Sequence, residues 1–258
     1  MKHSPYEWEE TEVGAGHVSF ERGGLRMAIE PNEGRQYSNA QVTDYGFKIR
    51  AHTFNFRWRP PLRLVVRARA SAPADQLRGT AGFGFWNHPF SPDVERIPRL
   101  PQAIWFFFAS APSNMALARG VPGWGWKAAQ IDATGARLLA LAPFAPIAAF
   151  AYRSRSFYDR WFPPLQRGMR IGEHLLDPGV LADWRTYVIE WRRDGACFSV
   201  DGKTVLETDA APRGPAGFIA WMDTRWAVIT PQGNIGFGLT PVDEPQFLQL
   251  ESVHITPL

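Results

Sequence analysis

Six tryptophans and three carboxylates are the residues through which this chain could do chemistry. Trp86, Trp105, Trp124, Trp126, Trp221 and Trp226 offer flat apolar faces on which a sugar ring or another flat ligand can stack. Trp124 and Trp126 stand two residues apart on the glycine-rich stretch GVPGWGWK, where packing alone explains them poorly. Asn87 and His88 follow Trp86, and Asp223 lies between Trp221 and Trp226, so polar groups able to orient a ligand sit beside the rings. Asp93 and Glu95, in a proline-rich loop over 88–101, join Asp223 as the carboxylates available for acid, base or nucleophilic work. The plainer reading of the two loop acids is that they are solvated charges, because loops are polar in any case.

Other chemistries find little support. The six histidines, His3, His17, His52, His88, His174 and His254, lack the H-x-x-x-H or Cys/His spacing of a zinc site. No phosphate-cradling glycine motif follows a strand and opens a helix, and Ser113 has no G-x-S-x-G context. No cofactor is expected. Glu33, Gly34 and Asp243 are the residues that could supply oxygens to a structural calcium. The single cysteine, Cys197, rules out an internal disulfide framework and reads as an inert strand residue. Twenty-eight basic against twenty-five acidic residues, scattered rather than clustered, give no footprint for nucleic acid. The first residues, MKHSPYEWEETE, have no apolar core of the signal-peptide kind, which sets a cytoplasmic expectation.

The elements that must position these residues read as strands. Twenty-three glycines and twenty-two prolines punctuate short alternating runs. Leu25, Met27 and Ile29 alternate with polar neighbours, as do Phe54, Phe56 and Trp58, and then Leu62, Leu64, Val66 and Ala68 alternate with Arg63, Arg67 and Arg69. Those arginines suit either a patch for an anionic partner or the ordinary wet side of a strand. GTAGFGFWN over 79–87 is a strand whose three glycines imply close approach by a neighbour or ligand, and AIWFFFA over 103–109 is a strand covered on both faces. Tyr187, Ile189 and Trp191, then Ala196, Phe198 and Val200 after the Asp194-Gly195 turn, predict a hairpin with one apolar face. FLQLESVHI over 247–255 closes the chain. With no internal repeat or linker, one domain over 1–258 is the economical organisation.

The stretch LLALAPFAPIAAFAY over 138–152 is uncharged and is followed by Arg153, Arg155 and Arg160. It falls short of the roughly 20 apolar residues that span a bilayer, and Pro143 and Pro146 argue against a helix there. No transmembrane segment is expected. Three arrangements remain: an insertion packed on the core, a hydrophobic flap over a pocket, or a peripheral membrane contact through 138–160 with basic flanks.

The hairpin with Trp184, Tyr187, Trp191, Phe198, Val200, Asp201 and Gly202, together with the terminal FLQLESVHI, resembles the back half of the concanavalin A-like lectin/glucanase superfamily, above all its glycoside hydrolase family 16 type. The resemblance implies an all-β fold, a jelly roll of two antiparallel sheets with a ligand cleft on the concave one, here carrying an apolar insertion around 135–182. It also implies a strand of the form E-x-D-x-x-E presenting two carboxylates to the cleft, as glycoside hydrolysis requires. By order of elements that strand is 103–108, where Ala103, Trp105 and Phe108 stand in place of the acids. The expected function is a ligand-binding jelly roll holding a carbohydrate or glycoconjugate in an aromatic cleft without the usual hydrolysis. Two alternatives stay open: an isomerase or cyclase acting on an apolar small molecule under the 138–152 flap, and a glycosidase whose acids are displaced to Asp93, Glu95 or Asp223.

Overall fold

The computed structural model describes residues 8–21, 24–48, 53–88, 100–135, 140 and 142–258. Strands come first in chain order: β1 (Glu9–Val13), β2 (Gly16–Glu21), β3 (Gly24–Ile29), β4 (Asn39–Thr43), β5 (Phe47–Lys48) and β6 (Thr53–Phe54). They continue with β7 (Leu62–Ala70), β8 (Thr80–Trp86), β9 (Gln102–Ala109) and β10 (Gly125–Asp132). Among the described residues the α-helices α1 (Ala145–Ala151) and α2 (Arg155–Gly168) follow. The rest is β11 (Gly172–Leu175), β12 (Arg185–Trp191), β13 (Ala196–Val200), β14 (Lys203–Thr208), β15 (Gly217–Asp223), β16 (Arg225–Ile229), β17 (Ile235–Leu239) and β18 (Gln246–Pro257).

Fourteen of these strands form two seven-stranded antiparallel sheets. The first runs β1-β4-β15-β8-β9-β10-β11, and the second runs β14-β13-β12-β7-β18-β3-β2. The strands are those that the alternating runs predict, and their arrangement is the jelly-roll sandwich that the resemblance implies. Period-two alternation decides which side chains meet between the sheets. Phe83, Phe106 and Phe218 point inward from the first sheet, and Tyr187, Trp191 and Phe198 point inward from the hairpin β12–β13. Ring contacts join the sheets, with Phe106 at 4.9 Å from Tyr187 and 5.6 Å from Phe198, and Phe85 at 5.4 Å from Trp191. The Trp191 indole N–H donates to the Pro212 carbonyl at 2.7 Å, so the buried ring keeps its one polar group satisfied.

The arginines of β7 line the outer face of the second sheet. Arg67 pairs with Glu251, and Arg69 lies 4.9 Å over the Trp184 ring. They form an ordinary wet face laced with local partners.

The structure departs from the sequence expectation in three places. Phe54 to Arg59 is not a continuous strand, since β6 ends at Phe54 and Trp58 makes only an isolated bridge to Ala216. The segment between β10 and β11 holds helices despite its prolines, because Pro146 falls in the first turn of α1, where a missing N–H leaves no bond unmade. That segment is also not packed on the core: α1 buries no residue, and α2 buries Phe162 alone.

Facing predicts energetics. Phe106→Ala, which empties the space between the sheets, is expected to cost about 3–5 kcal/mol in urea denaturation, and Trp105→Ala, one residue earlier on the opposite face, clearly less. The reverse order would mean that β9 is turned over.

Candidate ligand-binding face

The outer face of the first sheet gathers most of the residues capable of holding a ligand. On β9 the outward positions are Ala103, Trp105 and Phe107, while Ile104, Phe106 and Phe108 enter the core. The strand is regular in its pairing with both neighbours, so the third outward residue is Phe107 rather than Phe108. Trp105 sits 5.4 Å from Phe107 in a stacked arrangement, 5.2 Å from Trp221 on β15 and 6.0 Å from Trp86 on β8. Trp86 and Trp105 are only half-buried, so parts of both indoles remain accessible.

Glycines in β8 make that cluster fit. A Cβ on Gly82 would come within 2.9 Å of the Trp221 ring and 2.4 Å of the Phe106 carbonyl, and one on Gly84 within 2.6 Å of Trp105 Cβ. Bare backbone therefore lies beneath the rings, which answers the close approach implied by the strand glycines.

Polar groups fix the two ends of the aromatic row. At one end the Trp221 indole donates to Thr80 Oγ1 at 2.9 Å, and Thr80 donates to Asp223 Oδ1 at 2.8 Å. Asp223 also accepts from the Arg225 backbone N–H at 3.0 Å and from the Tyr37 hydroxyl at 3.1 Å, while the Arg225 guanidinium lies 4.5 Å over the Tyr37 ring. Burial pushes the Asp223 carboxyl above the usual range, and its donors, led by Thr80, pull the other way. The sequence offers Asp223 as a catalytic carboxylate and as a ligand-orienting group; in the structure it holds Trp221 through Thr80 and is taken up by internal partners.

At the other end the Trp86 indole N–H donates to the Tyr45 hydroxyl, which lies 3.0 Å from His88 Nδ1. The hydroxyl keeps both a proton and a lone pair after accepting from Trp86, so it meets His88 Nδ1 in either tautomer of the ring. Burial lowers the His88 pKa to about 4, so the ring is neutral near pH 7. His88 also stacks on Phe54 at 4.6 Å and meets Trp86 at 4.8 Å.

A third polar feature escaped the sequence reading. Lys127 and Glu173 form an ion pair at 2.8 Å with side chains 0% and 1% exposed. Lys127 Nζ also donates to the Pro122 carbonyl at 3.1 Å, and Glu173 Oε2 accepts from the Ala118 backbone N–H at 2.8 Å. The pair ties the loop before β10 down onto β10 and β11. Its one trace in the sequence is a lysine set between Trp126 and Ala128 in a largely apolar run.

The remaining candidates disperse. Trp126 is a correction: it lies in the core with no exposure, 5.9 Å from both Phe83 and Phe106, because its parity on β10 turns it inward. Asn87 is another, since its amide donates to the Leu100 carbonyl and its Oδ1 accepts from the Gln102 N–H, both at 2.9 Å, so that it joins the ends of β8 and β9. Trp226 belongs to the β16–β17 hairpin, where its ring covers Gly238. Trp124 is half exposed on the loop entering β10. Asp93 and Glu95 lie outside the described residues. Glu33 pairs with Arg35 at 2.9 Å, and no group of three His, Cys, Asp or Glu side chains suited to a metal occurs among the described residues.

No protein-family profile matches the chain, and no curated protein matches it in sequence. Solved structures do match over nearly the whole chain. An endo-β-galactosidase from Clostridium perfringens that releases GlcNAcα1-4Gal superposes with a TM-score of 0.54 at 12% identity, covering 98% of this chain and 58% of that one. A prokaryotic β-1,3-1,4-glucanase (lichenase) derived from a mouse hindgut metagenome gives 0.51 at 11% identity, covering 99% and 95%. The Crh5 transglycosylase without ligand gives 0.50 at 15% identity, covering 99% and 80%. At such identities the likeness is one of fold: the chain shares its two-sheet jelly-roll sandwich with these enzymes.

Two outcomes follow from this geometry. Lys127→Met, which strands Glu173 in the interior, is expected to cost about 3–5 kcal/mol. That loss should deepen as pH rises, because burial already holds the Glu173 carboxyl above its usual range with Lys127 opposing; adding Glu173→Gln should recover most of it in the same denaturation series. Titration of His88 by NMR should give a midpoint near 4. Because its folded pKa lies below the unfolded value of about 6.5, the stability it carries is full above that pH and is lost as pH falls through about 4.

Proposed function

We propose that the outer face of the first sheet binds a carbohydrate or glycoconjugate by stacking on Trp105 and Trp86, without the hydrolysis typical of glycoside hydrolase family 16. The observation that carries this reading is the set of fixed, partly accessible indoles along β8 and β9, propped by Phe107 and Trp221. Rings held in one orientation lose little entropy when a flat partner covers them. The matching enzymes act on glycans by their printed names, which favours a sugar over other flat ligands.

The chemistry of the face argues for binding over cleavage. Retaining hydrolysis needs two carboxyls about 5–5.5 Å apart across the scissile bond, and inverting hydrolysis about 6.5–9.5 Å. On the described strands of the first sheet, the outward carboxylates are Asp223, Glu173 and Glu9; the first is consumed by its hydrogen bonds, the second by Lys127, and Glu9 stands on the edge strand β1, three strands from β8. Ala103, Trp105 and Phe107 offer neither nucleophile nor proton.

Calorimetric titration with β-glucan and galactose-containing oligosaccharides tests this. Trp105→Ala and Trp86→Ala are each expected to weaken binding about tenfold, or ~1.4 kcal/mol, with no reducing sugar released by the parent. Equal binding by parent and both variants, or no binding by any, would refute stacking. Sugar release abolished by Glu95→Gln would instead assign the chain to the glycosidases with displaced acids.

A further inference from the structure

Helix α1 is seven residues long and entirely apolar, APIAAFA, yet none of its residues is buried. Phe144, Ile147 and Phe150, spaced to share one side of the helix, are 60%, 69% and 71% exposed. A helix this short is marginal in water even with a favourable sequence, and packing normally decides whether it forms. Here the chain itself supplies little packing on its outer side.

A second element, distant along the chain, presents the same character beside it. On the β16–β17 hairpin, Ile229 pairs with Ile235 and Ala227 with Phe237, so these side chains share one face. Ile235 is 74% exposed and Phe237 61%. The hairpin and α1 are walls of a single apolar cleft of about 680 Å³, lined by Pro146, Ala149 and Phe150 from one and Ile229 and Ile235 from the other. Trp161 on α2, 51% exposed, extends the surface.

Charge around this surface is predominantly positive, although Arg155 lies 3.9 Å from Asp159. Over 142–170 there are five arginines and a single acid, Asp159, which is engaged by Arg119 at 3.0 Å. Arg153, Arg155 and Arg160 are exposed at the border between α1 and α2. Arg153 lies 5.6 Å from the Phe150 ring and Arg160 5.7 Å from that of Trp161, which places cations directly beside the apolar groups. Large exposed apolar patches mark interaction surfaces, and a basic collar selects what can cover this one.

We infer that α1, the start of α2 and the β16–β17 hairpin form a docking face for an anionic membrane surface. Phe144, Ile147, Phe150, Ile235 and Phe237 enter the acyl boundary, while Arg153, Arg155 and Arg160 meet lipid phosphates. The face rests on the bilayer rather than crossing it, since no described helix is long and apolar enough to span one. On its inner side Met169 and Ile171 pack with Ala103 and Ile131, next to Trp105, so docking sets the aromatic face at the membrane border.

Flotation of the full chain with vesicles of phosphatidylcholine alone, and with vesicles enriched in phosphatidylglycerol, tests this directly. Binding to the anionic vesicles is expected, weakened at least about tenfold by Ile147→Ser/Phe150→Ser and by Ile235→Ser/Phe237→Ser. Arg153→Gln/Arg155→Gln/Arg160→Gln should remove the preference for anionic lipid and the sensitivity to salt. All these positions are exposed, so circular dichroism should show every variant folded. Quenching by brominated lipid that is reduced in Trp161→Phe would support docking independently. The inference is overturned if the parent ignores anionic vesicles, or if the serine variants bind as the parent does. It is equally overturned if the parent is a dimer that those variants dissociate, or carries a small apolar molecule in the cleft, without vesicle binding.

Discussion

The middle of the first sheet is apolar on both of its faces, and the rest of the molecule answers to that constraint. β9 shows it most plainly. Its eight residues, QAIWFFFA, bury Phe106 against Tyr187 and Phe198 on one side and set Trp105 against Phe107 and Trp221 on the other. A sheet in a sandwich needs only one apolar face, the other normally meeting water. The surplus face must be covered by something, and the chain covers it in part with its own indoles, in part with the loop that Lys127 and Glu173 tie down.

That arrangement explains why the polar groups near the cluster serve position more than reaction. Asp223 holds Thr80 and through it Trp221; Tyr45 links Trp86 to a neutral His88. Each group is buried enough that an unmatched charge would be costly, so each is matched. The insertion between β10 and β11 follows another logic. Its helices add almost nothing to the core, and their apolar side chains face outward under a basic border.

Much of the fold was legible because period-two alternation is a local signal. Tyr187, Ile189 and Trp191 face the core as their spacing requires, and Leu62 to Ala68 do the same. The site was harder to read for the same reason seen from the other side. Where both faces of a strand are apolar, alternation no longer says which residue faces the ligand, and Trp126 and Phe108 were placed outward although parity on β10 and β9 turns them in. Asn87 looked like a ligand contact because side-chain bonds to main chain across β8 and β9 leave no mark in sequence. The Lys127–Glu173 pair joins positions that only the register of β10 with β11 brings together. Pro146 misled by type, since its effect depends on its place in the helix.

The account holds that the two partly accessible indoles on β8 and β9 meet a glycan while the inward ones do not. Tryptophan side-chain N–H resonances, followed by NMR as a binding oligosaccharide is added, test this residue by residue. The account predicts progressive shifts for Trp105 and Trp86 with Trp126 and Trp191 unmoved. Shifts confined to other tryptophans, with Trp105 and Trp86 silent at saturation, would contradict it.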